Sequence, residues 1–224
     1  AYDVLGDYQK SLADYAAAHG WKVEADLNND IVGNSRGQNG VRDNTTVRVF
    51  SEGTRSTETA KQARIRNYFG GEVDSPSRNV ARYMASIADQ YLPDFRVKMI
   101  YRTDRYGRGG DQVEFLKAGY PAIRVSEAHE DYTRQHQDLR TEHGVHYGDT
   151  IDGIDFRYLA RVTALNTVTM AAMANAPAPP TDVKTEGALA TDTTVSWHKV
   201  PGAAGYRVHW RDTTAPRWEY ARAV

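Results

Sequence analysis

Apolar side chains in the first half of the chain recur at the two-residue spacing of β-strands in several separate segments. In "WKVEADLNNDIVGN" (21–34) they occupy every second position at the start, at Trp21, Val23, Ala25 and Leu27. This alternation predicts a strand, and the Gly-Asn pair at its end predicts a turn. Three further strands are predicted within residues 45–53, 95–102 and 120–127.

Helical patterns fill the segments between these strands. An Ala- and Leu-rich stretch that stops at Gly20 predicts the first helix, because glycine commonly ends helices. The predicted helices span residues 8–19, 56–69, 77–91, 111–119 and 155–175. Because strands alternate with helices, we predict an α/β sandwich around a mostly parallel sheet.

The residue pattern of the chain changes at a proline-rich linker, "APAPPTD". Beyond it, "TTVSWHKVPGAAGYRVHWRD" contains two alternating runs that predict a β-hairpin with a core of Trp197, Tyr206, Val208 and Trp210. We therefore predict an α/β domain over 1–175, a linker over 176–181 and an all-β module over 182–224. About three strands cannot close a β-sandwich core, so we expect this module to be incomplete.

The balance of positive and negative charges indicates which kinds of molecule the chain is suited to bind. The 224 residues include 28 Lys and Arg against 29 Asp and Glu, a net charge of -1. No global field therefore favours nucleic acid or anionic lipid, and no apolar run reaches the roughly 18 residues of a membrane span. The chain has no cysteine. Disulfides and thiolate catalysis are excluded, and any metal is left to His, Asp and Glu.

Polar residues follow the first predicted strand, where Asp30 ends the run Asn28, Asn29, Asp30. Ligands of open α/β sheets bind outside the carboxyl ends of the strands, and a carboxylate held there suits a metal. The alternative is that these three residues only cap a turn, as such residues often do. The pattern alone leaves both possibilities open.

A second polar region, "EDYTRQHQDLRTEHGVHYGDT" (130–150), lacks helical or strand periodicity and follows the last predicted strand of the α/β domain. Its His136 is a candidate zinc ligand, with Asp138 or Glu130 as the residue that orients the second ring nitrogen. The other histidines, His143 and His146 in this region and His129 just before it, are interpreted as solvated loop residues.

The glycine-rich turn "RYGRGGDQ" (105–112) precedes a predicted short helix and lacks the Lys-Ser/Thr of a phosphate-binding loop. Its glycines indicate a close approach of the backbone to another group. Asp111 would lie at the helix start, where the exposed amides favour a carboxylate. Arg124 is either a strand surface residue or a cation in a pocket, and Tyr106 and Arg124 are our candidates for a substrate pocket.

Three segments in this order, "LNNDIVGN", "GRGGDQVEFLKAGYPAIR" and "EDYTRQHQD", resemble the later part of the M28 family of zinc peptidases. The tail after the linker resembles the first half of a fibronectin type III domain. Together these resemblances cover residues 12–224. They imply a three-layer α/β sandwich of the zinc-peptidase type, followed by the start of a fibronectin type III-like module.

The resemblance also implies an aminopeptidase chemistry with two co-catalytic Zn²⁺ ions, acting on peptides with a free N-terminus. Asp30 matches the family's aspartate ligand and His136 its last histidine ligand. Asp111 and Asp138 are expected just behind the ligands. The family and the appended module imply an extracellular or periplasmic location.

Important parts of the family's site have no counterpart in this sequence. The first histidine ligand, the bridging aspartate and the Glu-Glu pair that includes the general base are expected upstream of Ala1, and Asp3 and Asp7 do not replace them. We therefore expect weak zinc binding and little activity from this chain alone. The alternatives are a non-catalytic peptidase-like binding or adhesion module and a related zinc glutaminyl cyclase.

Overall fold

The computed structural model describes residues 2–187 and 189–224, with side chains from Tyr8 onward except those of residues 9 and 188. The candidates Asp3 and Asp7 thus lie outside the residues whose side chains are described. The chain forms two units, Ala1–Thr169 and Met170–Val224.

A four-stranded sheet organises the first unit, with the order β1-β4-β2-β3. The strands are β1 (Asp26–Asn29), β2 (Thr46–Phe50), β3 (Arg96–Ile100) and β4 (Ala122–Glu127). β1 pairs with β4 and β2 pairs with β3 in parallel, whereas β2 and β4 are antiparallel. The predicted mixed α/β fold with a mostly parallel sheet is confirmed, and the three-layer arrangement stays a prediction.

Five α-helices accompany the sheet in the described part of the chain. They are α1 (Tyr2–Ala18), α2 (Ala60–Phe69), α3 (Pro76–Tyr91), α4 (Gln112–Lys117) and α5 (Phe156–Ala174). The predicted start of α2 at residue 56 is wrong. Thr59 and Gln62 form a reciprocal capping box, which satisfies free amides at the helix end and sets the first turn there.

The main core forms where the sheet meets α3 and α5. Val47, Val49 and Val125 of the sheet are fully buried, as are Met84 of α3 and Leu165 of α5. Burial of each such side chain stabilises the fold by about 1.5–3 kcal/mol. A smaller cluster joins α1, α4 and the start of β4. The sheet is thus a rigid support for groups attached to its edges.

The parallel pairing of β1 and β4 brings two polar segments to one edge of the sheet. Asn29 of β1 lies opposite Val125 of β4, and the Asp30 N–H donates to the Val125 carbonyl at 3.1 Å. Because both strands run in the same direction, their carboxyl ends meet there. Asp30 and the chain that follows β4 therefore start from neighbouring positions.

The polar region 130–150 contains a short β-hairpin that its sequence pattern did not predict. Strands β5 (Arg140–Glu142) and β6 (Val145–Tyr147) pair antiparallel. The turn residues His143 and Gly144 have φ values of 52° and 78°. Two central residues with positive φ are typical of the type I′ turn, whose twist matches that of the flanking strands.

The second unit is all-β in its described part beyond α5, but its pairing differs from the prediction. Strand β7 (Thr181–Glu186) pairs with β8 (Thr194–His198), and β9 (Arg207–Trp210) pairs with β10 (Tyr220–Ala223). The predicted hairpin between the two alternating runs is therefore wrong. The segment between β8 and β9 leads from one two-stranded sheet to the other instead of folding back.

The predicted core of this unit is partly correct. The rings of Trp197 and Tyr206 pack edge to face with centroids 5.1 Å apart, and the Val200 N–H donates to the Tyr206 hydroxyl at 2.6 Å. Trp210 is 48% exposed and stacks on Tyr220 at the surface. The domain boundaries and the fibronectin type III-like character stay predictions.

Among the described residues, none of the helices combines the length and the apolar content that a membrane span requires.

Candidate functional site

A cavity of about 710 Å³ lies at the carboxyl edge of β1. Asp30, Asp111 and His136 all line it, together with the glycines of the turn at 107–110. The structure therefore brings together three of the residues selected from the sequence. Sequence position alone did not establish this proximity, because the three residues lie far apart along the chain.

Asp30 is held by a buried arginine. The Arg124 side chain is fully buried, and its Nη1 lies 2.7 Å from Asp30 Oδ2. The same nitrogen donates to Asp104 Oδ2 at 3.1 Å and to the Gly109 carbonyl at 3.3 Å. Of the two alternatives for Arg124, the exposed strand position is excluded. Its guanidinium is a buried cation behind the Asp30 carboxylate.

A polar network that the sequence did not predict continues behind Arg124. Gln112 donates to Asp104 Oδ2 at 2.8 Å and to the Thr103 carbonyl, and it accepts from Asn28 Nδ2 at 2.9 Å. Asp104 and Gln112 are both buried. This network links β1, β4, the glycine turn and α4, so it fixes the direction of the Asp30 carboxylate.

Gly110 lies directly against this network. A Cβ at this position would lie 2.5 Å from Gln112 Oε1, 2.8 Å from Arg124 Nη1 and 3.2 Å from Asn28 Nδ2. All three distances are shorter than ordinary carbon contacts, so any side chain would displace the network. The prediction of a close backbone approach in the glycine turn is confirmed at this residue.

The acids around the network titrate differently. Burial raises the pKa of the Asp30 carboxyl, and the charges of Arg124 and Arg105 oppose that rise. Burial and the nearby charge of Asp111 raise the pKa of Asp26 to about 6. Burial also acts on Asp104, but the hydrogen bonds from Gln112 and Arg105 and the charge of Arg124 lower its pKa overall. A lowered pKa favours the carboxylate form of Asp104, which lies 3.1 Å from Arg124 Nη1.

His136 reaches the cavity from the polar region after β4. The residue is exposed and has a φ of 54°, in the left-handed region that non-glycine residues seldom adopt. The other histidines of this region have local roles. His143 occupies the hairpin turn, and His146 Nδ1 lies 2.8 Å from the Thr141 hydroxyl across the hairpin.

The other candidates from the sequence are Glu130, Asp138, Tyr106 and Asp111. Both carboxylate oxygens of Glu130 bind arginines, Arg48 and Arg105, so the suggestion that Glu130 orients His136 is not supported.

Asp138 is exposed, and its backbone carbonyl accepts a hydrogen bond from Arg140. Tyr106 is 88% exposed and lines a neighbouring cavity. Asp111 directly precedes α4 but makes no side-chain hydrogen bond to the helix amides.

The donor atoms at this edge suit zinc in kind but not in number. A carboxylate oxygen and an imidazole nitrogen are both common zinc ligands, and Asp30 and His136 supply one of each. Within residues 2–187 and 189–224, no group of three or more His, Asp or Glu side chains is arranged to hold a metal. Asp30 and His136 are thus two donors of the right type, fewer than the three or four protein ligands of a zinc site.

The sequence has clear relatives. The chain is 46% identical over 199 residues to a probable zinc metalloprotease of Leptosphaeria maculans, a match that covers 88% of this chain and 46% of that protein. It is 43% identical over 203 residues to a probable zinc metalloprotease of Pyrenophora tritici-repentis, covering 88% of this chain and 42% of that protein. The chain is similar to zinc metalloproteases. It spans less than half the length of these curated relatives.

The chain matches no protein-family model. Among solved structures, the aminopeptidase LapA of Legionella pneumophila aligns with a TM-score of 0.45 and 15% sequence identity. That alignment covers 75% of this chain and 36% of the LapA chain.

Proposed function

We propose that this chain is part of a zinc metallopeptidase and that Asp30 and His136 are two of its zinc ligands. The observation that carries the proposal is their placement. They follow two neighbouring parallel strands and line the same cavity at the edge of the sheet. The similarity to proteins named probable zinc metalloproteases supports zinc as the metal.

Zinc in a peptidase site polarises the scissile carbonyl and lowers the pKa of a bound water. The described residues would prepare the site for that chemistry. Arg124, anchored by Asp104, holds the Asp30 carboxylate in one orientation. A ligand fixed by charge and hydrogen bonds in this way loses less conformational freedom when a metal binds.

The remaining ligands and the general base are proposed to come from sequence outside these 224 residues. The short span of the chain relative to its relatives supports this view. The same proposal includes an aminopeptidase activity on substrates with a free N-terminus, a pair of zinc ions and an extracellular or periplasmic location. It also includes a fibronectin type III-like role for the all-β unit.

A zinc titration followed by NMR tests the two ligands. Addition of zinc should shift the ring signals of His136, and Asp30→Asn should abolish that shift. His136→Ala should likewise remove the response to zinc. His143→Ala is its matched control, because both histidines are exposed and have nearly equal positive φ values. Asp149→Asn, at an exposed position, is the control for Asp30→Asn. Equal shifts in Asp30→Asn and in the unchanged chain would contradict the proposal.

A further inference from the structure

A second cavity, of about 450 Å³, adjoins the cavity that contains Asp30 and His136. We name it the arginine cavity. Its lining consists of four arginines and three aromatic residues: Arg48, Arg102, Arg105, Arg108, Phe50, Tyr106 and Tyr132. Arg105 and Arg108 also line the Asp30 cavity, so the two cavities share a wall. Among the described residues, no acid lines the arginine cavity.

Two of the four arginines are fixed by one buried acid. Glu130, whose side chain is 2% exposed, lies 2.5 Å from Arg48 Nη2 and 2.6 Å from Arg105 Nη1. Burial raises the pKa of Glu130, but the hydrogen bonds and charges of the two arginines outweigh it and lower that pKa. Glu130 therefore stays ionised and keeps the two guanidinium groups in place. Arg105 Nε also lies 3.4 Å from Asp104 Oδ1, so both of these arginines have an acidic partner.

The other two arginines lack an acidic partner within the described part of the chain. The Arg102 guanidinium stacks on the Tyr106 ring with 3.5 Å between its central carbon and the ring centroid. Arg102 Nε is buried and has no hydrogen-bond partner among the described residues. Arg102 and Arg108 thus carry positive charge that no acid in the described part of the chain offsets, and an anion in the cavity would offset it.

We propose that the arginine cavity is a subsite that binds a carboxylate of the peptide substrate, a proposal that rests on the peptidase function above. Arginine favours carboxylates because its planar fork of N–H groups matches the two oxygens. The shared wall places this carboxylate next to the candidate zinc ligands. Either an acidic side chain or the C-terminal carboxylate of a short peptide supplies the same chemistry.

Peptide binding to the zinc-free 224-residue chain tests the subsite by saturation-transfer NMR. The probes are three tripeptides: one with a central glutamate and an amidated C-terminus, one with a central glutamine and a free C-terminus, and one with glutamine and an amidated C-terminus. We expect at least one of the first two to bind about tenfold more tightly than the third. The one that binds more tightly identifies the source of the carboxylate.

Two variants locate the effect. Arg102→Gln and Arg108→Gln should each reduce that preference to about twofold or less. Arg108 is exposed, so its variant should fold even if Arg102→Gln does not. Arg64→Gln, the same change at an exposed position on α2, should leave the preference intact.

Equal binding of the three peptides, or no binding of any, overturns the subsite. So does a preference that survives both Arg102→Gln and Arg108→Gln. Because the experiment contains no zinc, such a result leaves the metal ligands untouched. Failure of the zinc titration, by contrast, would contradict the proposed function, and the preference for a carboxylate could still be measured in the zinc-free chain.

Discussion

The two residues that we assign to zinc are positioned in opposite ways. Asp30 leaves a strand of the central sheet and is held by Arg124, which is fully buried. His136 belongs to the exposed polar region after β4 and has a left-handed backbone conformation. The comparison indicates that the fold itself orients the aspartate, whereas the histidine depends on a surface segment. Changes at the sheet edge should therefore cost stability, and changes at exposed positions of the polar region should not.

The largest effect is expected for Arg124→Met, which removes the buried cation that Asp104 and the half-buried Asp30 share. Removal of one partner from a buried ion pair costs about 3 kcal/mol or more. Urea unfolding should show this loss of unfolding free energy.

The matched control in the polar region is Arg134→Met. Arg134 pairs with Asp152, and the two side chains are 26% and 67% exposed. A pair that is open to solvent on its acidic side contributes less than about 1 kcal/mol, so this variant should lose far less stability than Arg124→Met. Equal losses in the two variants would remove the distinction between the regions.

The next effect is expected for Gly110→Ala. The added methyl group would overlap Gln112, Arg124 and Asn28, and overpacking of this kind costs about 1–3 kcal/mol. In Gly109→Ala the nearest atom to the new Cβ, in Val113, is 3.9 Å away, so little change is expected. Thermal unfolding of both variants measures the difference. A Gly110→Ala variant as stable as Gly109→Ala would show that the network can rearrange around the methyl group without a loss of stability.

Two acids of the first unit, Glu127 in β4 and Asp155 just before α5, should give opposite pH dependences. Burial raises the pKa of Glu127 in β4 to about 8, whereas the unfolded value is near 4.5. As pH rises between these values, the unfolded chain loses a proton that the folded chain keeps. The free energy of unfolding should therefore fall by at least about 1 kcal/mol between about pH 5 and 8. Asp26 adds to this trend.

Asp155 behaves in the opposite sense. The hydrogen bond from Ser35 is the main cause that lowers its pKa to about 2, so its contribution is lost as pH falls through this value from about 3.8. In urea unfolding across pH, Glu127→Gln should reduce the fall in stability only between about pH 5 and 8, and Asp155→Asn should reduce the loss only in the acid range. An unchanged upper window in Glu127→Gln would contradict the assignment.

The smallest effect is expected for His136→Ala. The side chain is exposed, so its removal should change the free energy of unfolding by less than about 0.5 kcal/mol while it abolishes the zinc response. Urea unfolding and the zinc titration on the same sample provide both values. A loss of several kcal/mol would mean that His136 is a structural residue.

The sequence predicted the position of Asp30 because the alternation in "WKVEADLNN" marked the strand and its end. It did not predict that Arg124 is buried. Every residue of β4 is buried because this strand lies between β1 and β2, so both of its faces are covered. Alternation cannot show this, and Asp104 and Gln112, which compensate the charge, are distant in sequence.

The hairpin around His143 was missed for a related reason. Its strands have only three residues each, and β5 (Arg140–Glu142) is wholly polar, so the segment is too short for periodicity to give a signal. The His-Gly pair in the turn was the available clue. In the all-β unit the alternating runs correctly marked β8 and β9, but alternation does not determine which strand pairs with which.

The central claim is that this chain contributes only part of a zinc site, with Asp30 and His136 as its ligands. The most direct test is the amount of zinc that stays bound to the 224-residue chain after dialysis against a weak chelator, measured by mass spectrometry. With so few ligands the chain should bind zinc weakly, so the account predicts far less than one ion per chain. Retention of about two ions per chain would show that residues within this sequence complete the site, and the account would be wrong.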